Sequence, residues 1–302
     1  MANVKITDLT ALSGALVGAD LFEMVDDVAG TPVSRKVTAA VVREFSNMTQ
    51  ATGTDADTTM AVNTLYVVDM SAWATADRTY TLPATAAVGD RIGVMVTAGD
   101  ASHELILTAG SGDTLNGIAG GTEWSRVFIT GEVVVMRCVV ANTTWVVEVD
   151  GRIPIQARST AAGSGSTTQS ISAATYTLVN ANLMTEEVDN SSSMGSDGGS
   201  KLRFTARRAG QFSISGGGYL SLTEDQKTYI GAIALNGEAV PITKLWRVWS
   251  SGTGGAMANT GVNGKALAVD DYINLAVYQG GTGAFNLQDN AGFTFLSVTE
   301  VL

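Results

Sequence analysis

The chain holds one histidine and one cysteine, so any chemistry that needs either must use His103 or Cys138. A Ser–His–Asp triad would have to recruit His103. That residue lies in Gly99-Asp100-Ala101-Ser102-His103-Glu104, a polar turn ahead of the apolar run Leu105-Ile106-Leu107. No Gly-x-Ser-x-Gly elbow is set between a strand and a helix pattern, so His103 reads as an exposed loop residue. Alternation puts Cys138 on the face of Val134, Met136 and Val140. Nothing on that face would lower its pKa, so it reads as a buried, inert thiol. With one of each, neither an intrachain disulfide nor a zinc site of the usual kind can be built.

Carboxylates occur in adjacent pairs at Asp26-Asp27, Glu186-Glu187, Glu224-Asp225 and Asp270-Asp271. A glycosidase needs two carboxyls facing one cleft, but adjacent strand residues point oppositely, and Asp270-Asp271 reads as a solvated turn. No Asp-x-Asp-x-Asp loop supports calcium. The run Ser215-Gly216-Gly217-Gly218 has no following lysine and no helix pattern, so it is not a phosphate loop. A bulge or a close chain approach inside a sheet accounts for it. The sequence therefore predicts no catalytic residue, no cofactor and no metal site.

Trp246 and Trp249 flank Arg247 and Val248, just before a Gly/Ser/Ala-rich stretch, Ser250 to Gly261, read as a loop. Alternation pairs Trp246 with Val248 and Arg247 with Trp249. One tryptophan is expected in the core or at a subunit contact. The other is a candidate platform for a sugar ring, which makes Trp246, Arg247 and Trp249 candidate receptor-binding residues. In Tyr272 to Tyr278, Ile273, Leu275 and Val277 form one face. The opposite face, with Tyr272, Asn274 and Tyr278, suits contact with another subunit.

The elements that must position these residues are mostly strands. Glycine is abundant at 34 residues, proline scarce at 4, and Lys plus Arg total only 18. That composition fits short strands joined by glycine turns. Residues 1–50 read as a small mixed α/β unit, with a short strand at Asp20–Asp26, a turn at Asp27–Pro32 and a short helix over Ala39–Phe45 capped by Thr38. A unit this small needs a partner to bury its core. Residues 51–156 carry apolar runs with turn signals between them, among them Asn116-Gly117, which indicates a sandwich or barrel. Residues 157–170 lack any large apolar side chain and read as a flexible linker. Residues 171–302 are strand-rich again, with tight turns expected at Asn236-Gly237 and Asn263-Gly264.

The net charge is −11, and each of the three segments is negative on its own. That excludes a phosphate-neutralising nucleic-acid surface and electrostatic docking on anionic lipid. No apolar run approaches the ~20 residues needed to span a bilayer, so membrane insertion is not expected. The N-terminus has no charged region followed by an apolar one, so it is not read as a secretory signal and synthesis in the cytosol is expected.

Three stretches resemble known modules. Lys5 to Leu12, Gly18 to Asp26 and Arg35 to Thr38 resemble the start of phage tail-fibre and neck-fibre proteins, which implies attachment to a particle. Tyr80 to Ile92, with Thr114-Leu115-Asn116-Gly117 and Asn142 to Val147, resembles a β-module of phage fibres. Thr185 to Asn190, Phe204 to Phe212, Leu235-Asn236-Gly237, Val269 to Gln279 and Phe293 to Val298 resemble the C1q/TNF-like jelly roll. That family implies a compact homotrimer that binds through its loops.

The expected protein is thus mainly all-β. It has a small N-terminal α/β anchor, a central sandwich or barrel, and a C-terminal C1q/TNF-like jelly roll, assembled as a homotrimer. The expected role is a non-enzymatic fibre or spike of a bacteriophage-like particle, on the tail or the head. Residues 1–50 would dock on another particle protein, and the far end would bind host surface polysaccharide. The alternatives are a decoration or assembly protein without a receptor, and a polysaccharide depolymerase.

Overall fold

The computed structural model describes residues 21–26, 33–38 and 48–302, except 74–75, 162, 164–167, 199, 223–227, 238–242, 250–253, 283–284 and 289–293. The two N-terminal strands and residues 221–222, 228–229, 243–249 and 254–259 are described by their backbone alone. The helix expected over Ala39–Phe45 lies outside the described residues.

The N-terminal strands are β1 (Leu21–Asp26) and β2 (Val33–Thr38), an antiparallel pair that joins no other sheet among the described residues. The strand expected at Asp20–Asp26 is there.

The central module runs β3 (Thr49–Thr52), β4 (Thr58–Thr59), β5 (Thr64–Asp69), β6 (Arg78–Thr81), β7 (Arg91–Ala98) and β8 (Leu105–Thr108). It continues with β9 (Thr114–Leu115), β10 (Ile118–Ala119), β11 (Glu123–Val127), β12 (Val133–Val140) and β13 (Thr144–Gly151). Two sheets result, ordered β10-β9-β13-β12-β7-β5-β3 and β11-β8-β6-β4. The first six strands alternate between the sheets. β3, β5 and β7 are parallel in one, and β4, β6 and β8 are parallel in the other. The expected sandwich is therefore wound as a two-sheet coil. Antiparallel β12, β13 and β11 close it. Tyr66 of one sheet meets Tyr80 of the other edge-on, with ring centroids 5.6 Å apart. Trp145 and Cys138 are buried between the sheets. Asn116 and Gly117 both take positive φ, 48° and 80°, and make the tight turn their residue types favour.

The C-terminal module holds β14 (Gln156–Thr160), β15 (Thr168–Ile171), β16 (Tyr176–Leu178), β17 (Thr185–Asp189), β18 (Met194–Ser196), β19 (Leu202–Thr205) and β20 (Gly210–Leu222). β21 (Thr228–Leu235), β22 (Thr243–Trp249), β23 (Gly254–Leu267), β24 (Tyr272–Gln279), β25 (Phe285–Gln288) and β26 (Phe295–Val301) complete it. Its backbone is β14-β26-β20-β23 in one sheet and β19-β24-β21-β22 in the other, all antiparallel. In chain order these are the first, eighth, third and sixth strands facing the second, seventh, fourth and fifth. That is the wrapping of an eight-stranded jelly roll.

The glycine run in β20 is a close approach between the sheets. A Cβ on Gly216 would sit 2.8 Å from Leu275 Cδ1. One on Gly218 would meet Val277 Cγ2 of the facing sheet at 2.9 Å and Leu287 Cδ1 of the adjacent strand β25 at 2.8 Å.

Three sequence expectations are corrected. Residues 157–170 are not a free linker: β14 lies between β26 and β17, and β15 pairs with β25. Small hydroxyl residues lower apolar content without preventing ladder hydrogen bonds, so composition alone misread them. Ala157, Ser159, Thr160 and Gln169 are buried. The connection between modules is instead the short stretch 152–155. Asn263-Gly264 is a bulge inside β23, opposite the register shift between Phe212 and Ile214, rather than a hairpin turn. Most of the expected loop Ser250–Gly261 is the first half of β23, paired with β20 from Leu222↔Gly254 to Ser215↔Gly261.

Candidate functional site at the module junction and the outer end

Two features stand out, and they lie at opposite ends of the jelly roll. The first is the junction with the central module. The turn between β19 and β20 presents Arg207 and Arg208 side by side, held open by Asp270 N to Ala206 O and Ala206 N to Asp271 O bonds, both 2.8 Å.

Arg208 is fully buried and uses all five of its donors. Nε and Nη2 fork onto Glu300 at 3.0 and 2.6 Å, and Nη1 reaches Glu132 Oε1 at 2.7 Å. The last two N–H groups go to the carbonyls of Arg126 (3.0 Å) and Ile153 (2.9 Å). Burial works against this charge, but the bonds to Glu300 and Glu132 outweigh it and hold the guanidinium above its ordinary pKa. Glu132 also accepts Phe128 N, Ile129 N and Ile153 N, at 2.7, 3.0 and 3.1 Å. One carboxylate thus fixes a turn of the central module, the connector and the arginine.

Arg207 donates to Glu104 Oε1 at 2.5 Å and to the carbonyls of Asp100, Ser191 and His103. The Phe128 ring lies 4.4 Å from its guanidinium carbon and 5.4 Å from that of Arg208. Glu104 is pushed up to about 7. Burial is the main cause, the Asp77 carboxyl beside it adds to the rise, and Arg207 opposes it. Arg126 binds Glu123 at 3.0 Å and reaches both Asp77 and Glu104, at 3.4 and 3.3 Å. A cleft of about 210 Å³ opens beside this cluster between Asp100, Phe128, Thr130 and the Asn190–Ser192 loop. Its walls are mainly backbone and short polar side chains, and it holds no paired acids.

None of these junction residues was singled out for function by the sequence. The available signal was two adjacent arginines in a short inter-strand turn of an acidic chain. Their partners are spread from residue 100 to residue 300, which no local pattern connects.

The second feature is the opposite end of the roll. β24 runs from Tyr272, beside the junction, to Gln279 at the outer end. Asn274 is 1% exposed and its Nδ2 donates to Leu202 O at 2.7 Å. It lies in the interior of the chain, which removes it from the expected subunit contact. Tyr272 lies under Arg203, whose guanidinium carbon is 4.0 Å from its ring. Tyr278 is half-buried against Tyr176, with centroids 5.1 Å apart. β22 carries Trp246, Arg247 and Trp249 along the edge of its sheet. The register pairs Arg247 with Ile230 and Trp249 with Thr228 and skips Trp246. The side chains of these three lie outside the described residues.

Elsewhere, Cys138 is buried, and burial raises its thiol pKa. His103 is half-buried rather than an exposed loop residue, with Nδ1 3.1 Å from Asp100 Oδ1. Glu186-Glu187 lies on exposed β17. Asp271 closes a turn through Ala268 N and Asn236 Nδ2. Among the described residues, no group of three or more His, Cys, Asp or Glu side chains is placed to hold a metal, and no helix is long and apolar enough to cross a membrane.

Among the described residues the fold and site define a mainly β protein whose jelly roll is locked to a two-sheet coil by a buried arginine pair. No family model and no curated protein matches the sequence. Among solved structures the chain is similar to the Eiger TNF of S. frugiperda, at 12% identity and a TM-score of 0.36, over 50% of this chain and 94% of that one. It is similar to murine APRIL at 10% identity and a TM-score of 0.34, over 49% of this chain and 100% of that one. It is also similar to the PRD1 vertex protein P5 at 12% identity and a TM-score of 0.32, over 52% of this chain and 78% of that one.

Proposed function

We propose that this chain is a non-enzymatic structural fibre or spike of a bacteriophage-like particle that assembles as a homotrimer and attaches to host surface polysaccharide. The observation that carries the reading is the junction. Five donors of Arg208 and at least four bonds of Arg207 make the coil and the jelly roll one stiff body. A spike needs that property in order to hold its tip away from the particle. In this reading residues 1–50 dock on another particle protein, and the outer end of the roll meets the host.

Self-association is supported by the outer face of the β14-β26-β20 sheet. Gln211, Ser213 and Ser215 of β20 share it with Ser297 and Thr299 of β26. Arg158 of β14, opposite Ser297, brings a charge to this face that Glu187 balances at 3.0 Å. A net charge of −11 favours copies meeting through a face that carries no net charge. In this reading the subunit contact lies on that sheet rather than on the expected face of Tyr272 and Tyr278.

Two measurements test the reading. Sedimentation of the purified chain is expected to give three times 31.2 kDa, and labelled protein is expected to bind intact host cells saturably. A stable monomer at micromolar concentration refutes the trimer. A trimer without cell binding replaces attachment by a decoration role. Reducing-end release from host polysaccharide replaces it by depolymerase activity.

A further inference from the structure

We infer that the half-exposed pair Tyr176 and Tyr278, at the outer end of the jelly roll, is the platform on which an uncharged sugar ring of the host polysaccharide stacks. The inference rests on the attachment reading above and gives it a site.

The register builds the platform. Tyr176 of β16 is paired with Tyr278 of β24, Tyr278 with Ile230 of β21, and Ile230 with Arg247 of β22. Directly opposed residues of antiparallel strands share a face. Val277 packs inward toward Gly218, so its neighbour Tyr278 lies on the outer face together with Tyr176 and Ile230.

Burial marks where this face opens. Nearer the junction its residues are closed off: Asn274 and Ala276 are each 1% exposed, and Ala232 and Ala234 are fully buried. One pleat further out, Tyr176, Tyr278 and Ile230 are all half-exposed.

The chemistry of the row selects the ligand. The tyrosine rings pack on each other, centroids 5.1 Å apart at 43°, and each leaves part of its surface exposed. Neither phenol has a hydrogen-bond partner among the described residues, so both hydroxyls are open to a polar ligand. A sugar ring offers C–H groups to an aromatic face and hydroxyls to the phenols around it. The chain's net charge of −11 disfavours a polyanion.

The test uses the full chain against immobilised dextran, mannan and galactan, with polysialic acid as the polyanionic comparison, and against intact host cells. The wild type is expected to bind at least one neutral polymer in preference to polysialic acid. Tyr176→Ala with Tyr278→Ala is expected to weaken binding by about 10-fold, two aromatic contacts' worth, and to lower melting modestly because the rings pack on each other, without changing sedimentation. Tyr→Phe at both positions is expected to retain most of it. Protection of Tyr176 and Tyr278 from nitration by the bound polymer provides a readout that needs no variant. If the wild type binds but the double alanine variant binds equally, or nitration is unaffected, the platform is wrong and attachment stands. If the wild type binds cells but none of the neutral polymers, the sugar assignment is wrong. If it binds neither, both readings fall. If Tyr278→Ala breaks the trimer, the pair is a subunit contact instead.

Discussion

The Arg208 guanidinium grips the Glu300 carboxylate with two parallel bonds, Nε to Oε1 at 3.0 Å and Nη2 to Oε2 at 2.6 Å, with both side chains essentially sealed from water. Glu300 lies near the end of the last strand, and its Oε2 also accepts Ile155 N from the connector at 3.1 Å. The pair therefore ties the last strand of the roll and the connector to the central module through one cation.

Removing that cation should be costly. Arg208→Ala leaves Glu132 and Glu300 buried and unpaired, and about 3–5 kcal/mol of stability is expected to be lost. Arg208→Lys restores a charge but supplies three donors where five are used, so it should recover only part. Urea denaturation followed by tryptophan fluorescence measures both. A loss below about 1 kcal/mol for the alanine variant would mean the junction contributes little.

Glu104 should give the junction a pH dependence. Its carboxyl is raised from 4.5 to about 7 in the folded protein, so folding takes up a proton there. The associated stability is fully present below pH 4.5 and is lost as pH rises through about 7. Glu104→Gln removes this titration. The difference in melting temperature between wild type and variant is expected to move against the wild type from pH 5 to pH 8. A constant difference over that range would refute the assignment.

The close approach of the two sheets at Gly218 should resist side chains. Gly218→Val places carbon within 3 Å of Leu287 and Val277, and about 1–3 kcal/mol of destabilisation is expected. Gly195→Ala, where the added carbon meets nothing within 4 Å, is the matched comparison and should change melting little. Equal effects at the two sites would contradict the packing described for β20.

Nicking between residues 162 and 167 should not release the C-terminal module. β14 precedes the cut and remains paired with β26 and β17. The nicked protein is expected to elute as one species in native gel filtration and to separate only in denaturant. Separation under native conditions would restore the linker reading.

Several parts of this architecture could be read from local sequence. Alternation within Tyr272–Tyr278 identified Ile273, Leu275 and Val277 as the inward residues, and all three are fully buried, while Asn274 and Ala276 of the other face are closed off as well. Asn116-Gly117 and Asn236-Gly237 make their turns, with both residues at positive φ, because positive φ is a property of residue type. The close chain approach expected at Ser215–Gly218 also follows from residue type, since only glycine leaves room there. Where local chemistry is ambiguous, the sequence misled. Asn263-Gly264 carries the same turn signal but sits in a bulge, because β20 continues alongside and keeps β23 extended. Residues 157–170 look like a linker until the strands on either side supply hydrogen bonds.

The sequence by itself determined the β-rich composition, the burial of Cys138 and the alternating faces of the strands, because each depends on near neighbours in the chain. The tertiary structure alone decided the winding of the central sheets, the enclosure of Asn274, the Tyr176–Tyr278 row and the Arg207–Arg208 junction. Those depend on which distant segments meet. Burying Arg208 is tolerable only because Glu132, 76 residues away, and Glu300, 92 residues away, arrive at the same point, and no local pattern in the chain encodes that meeting.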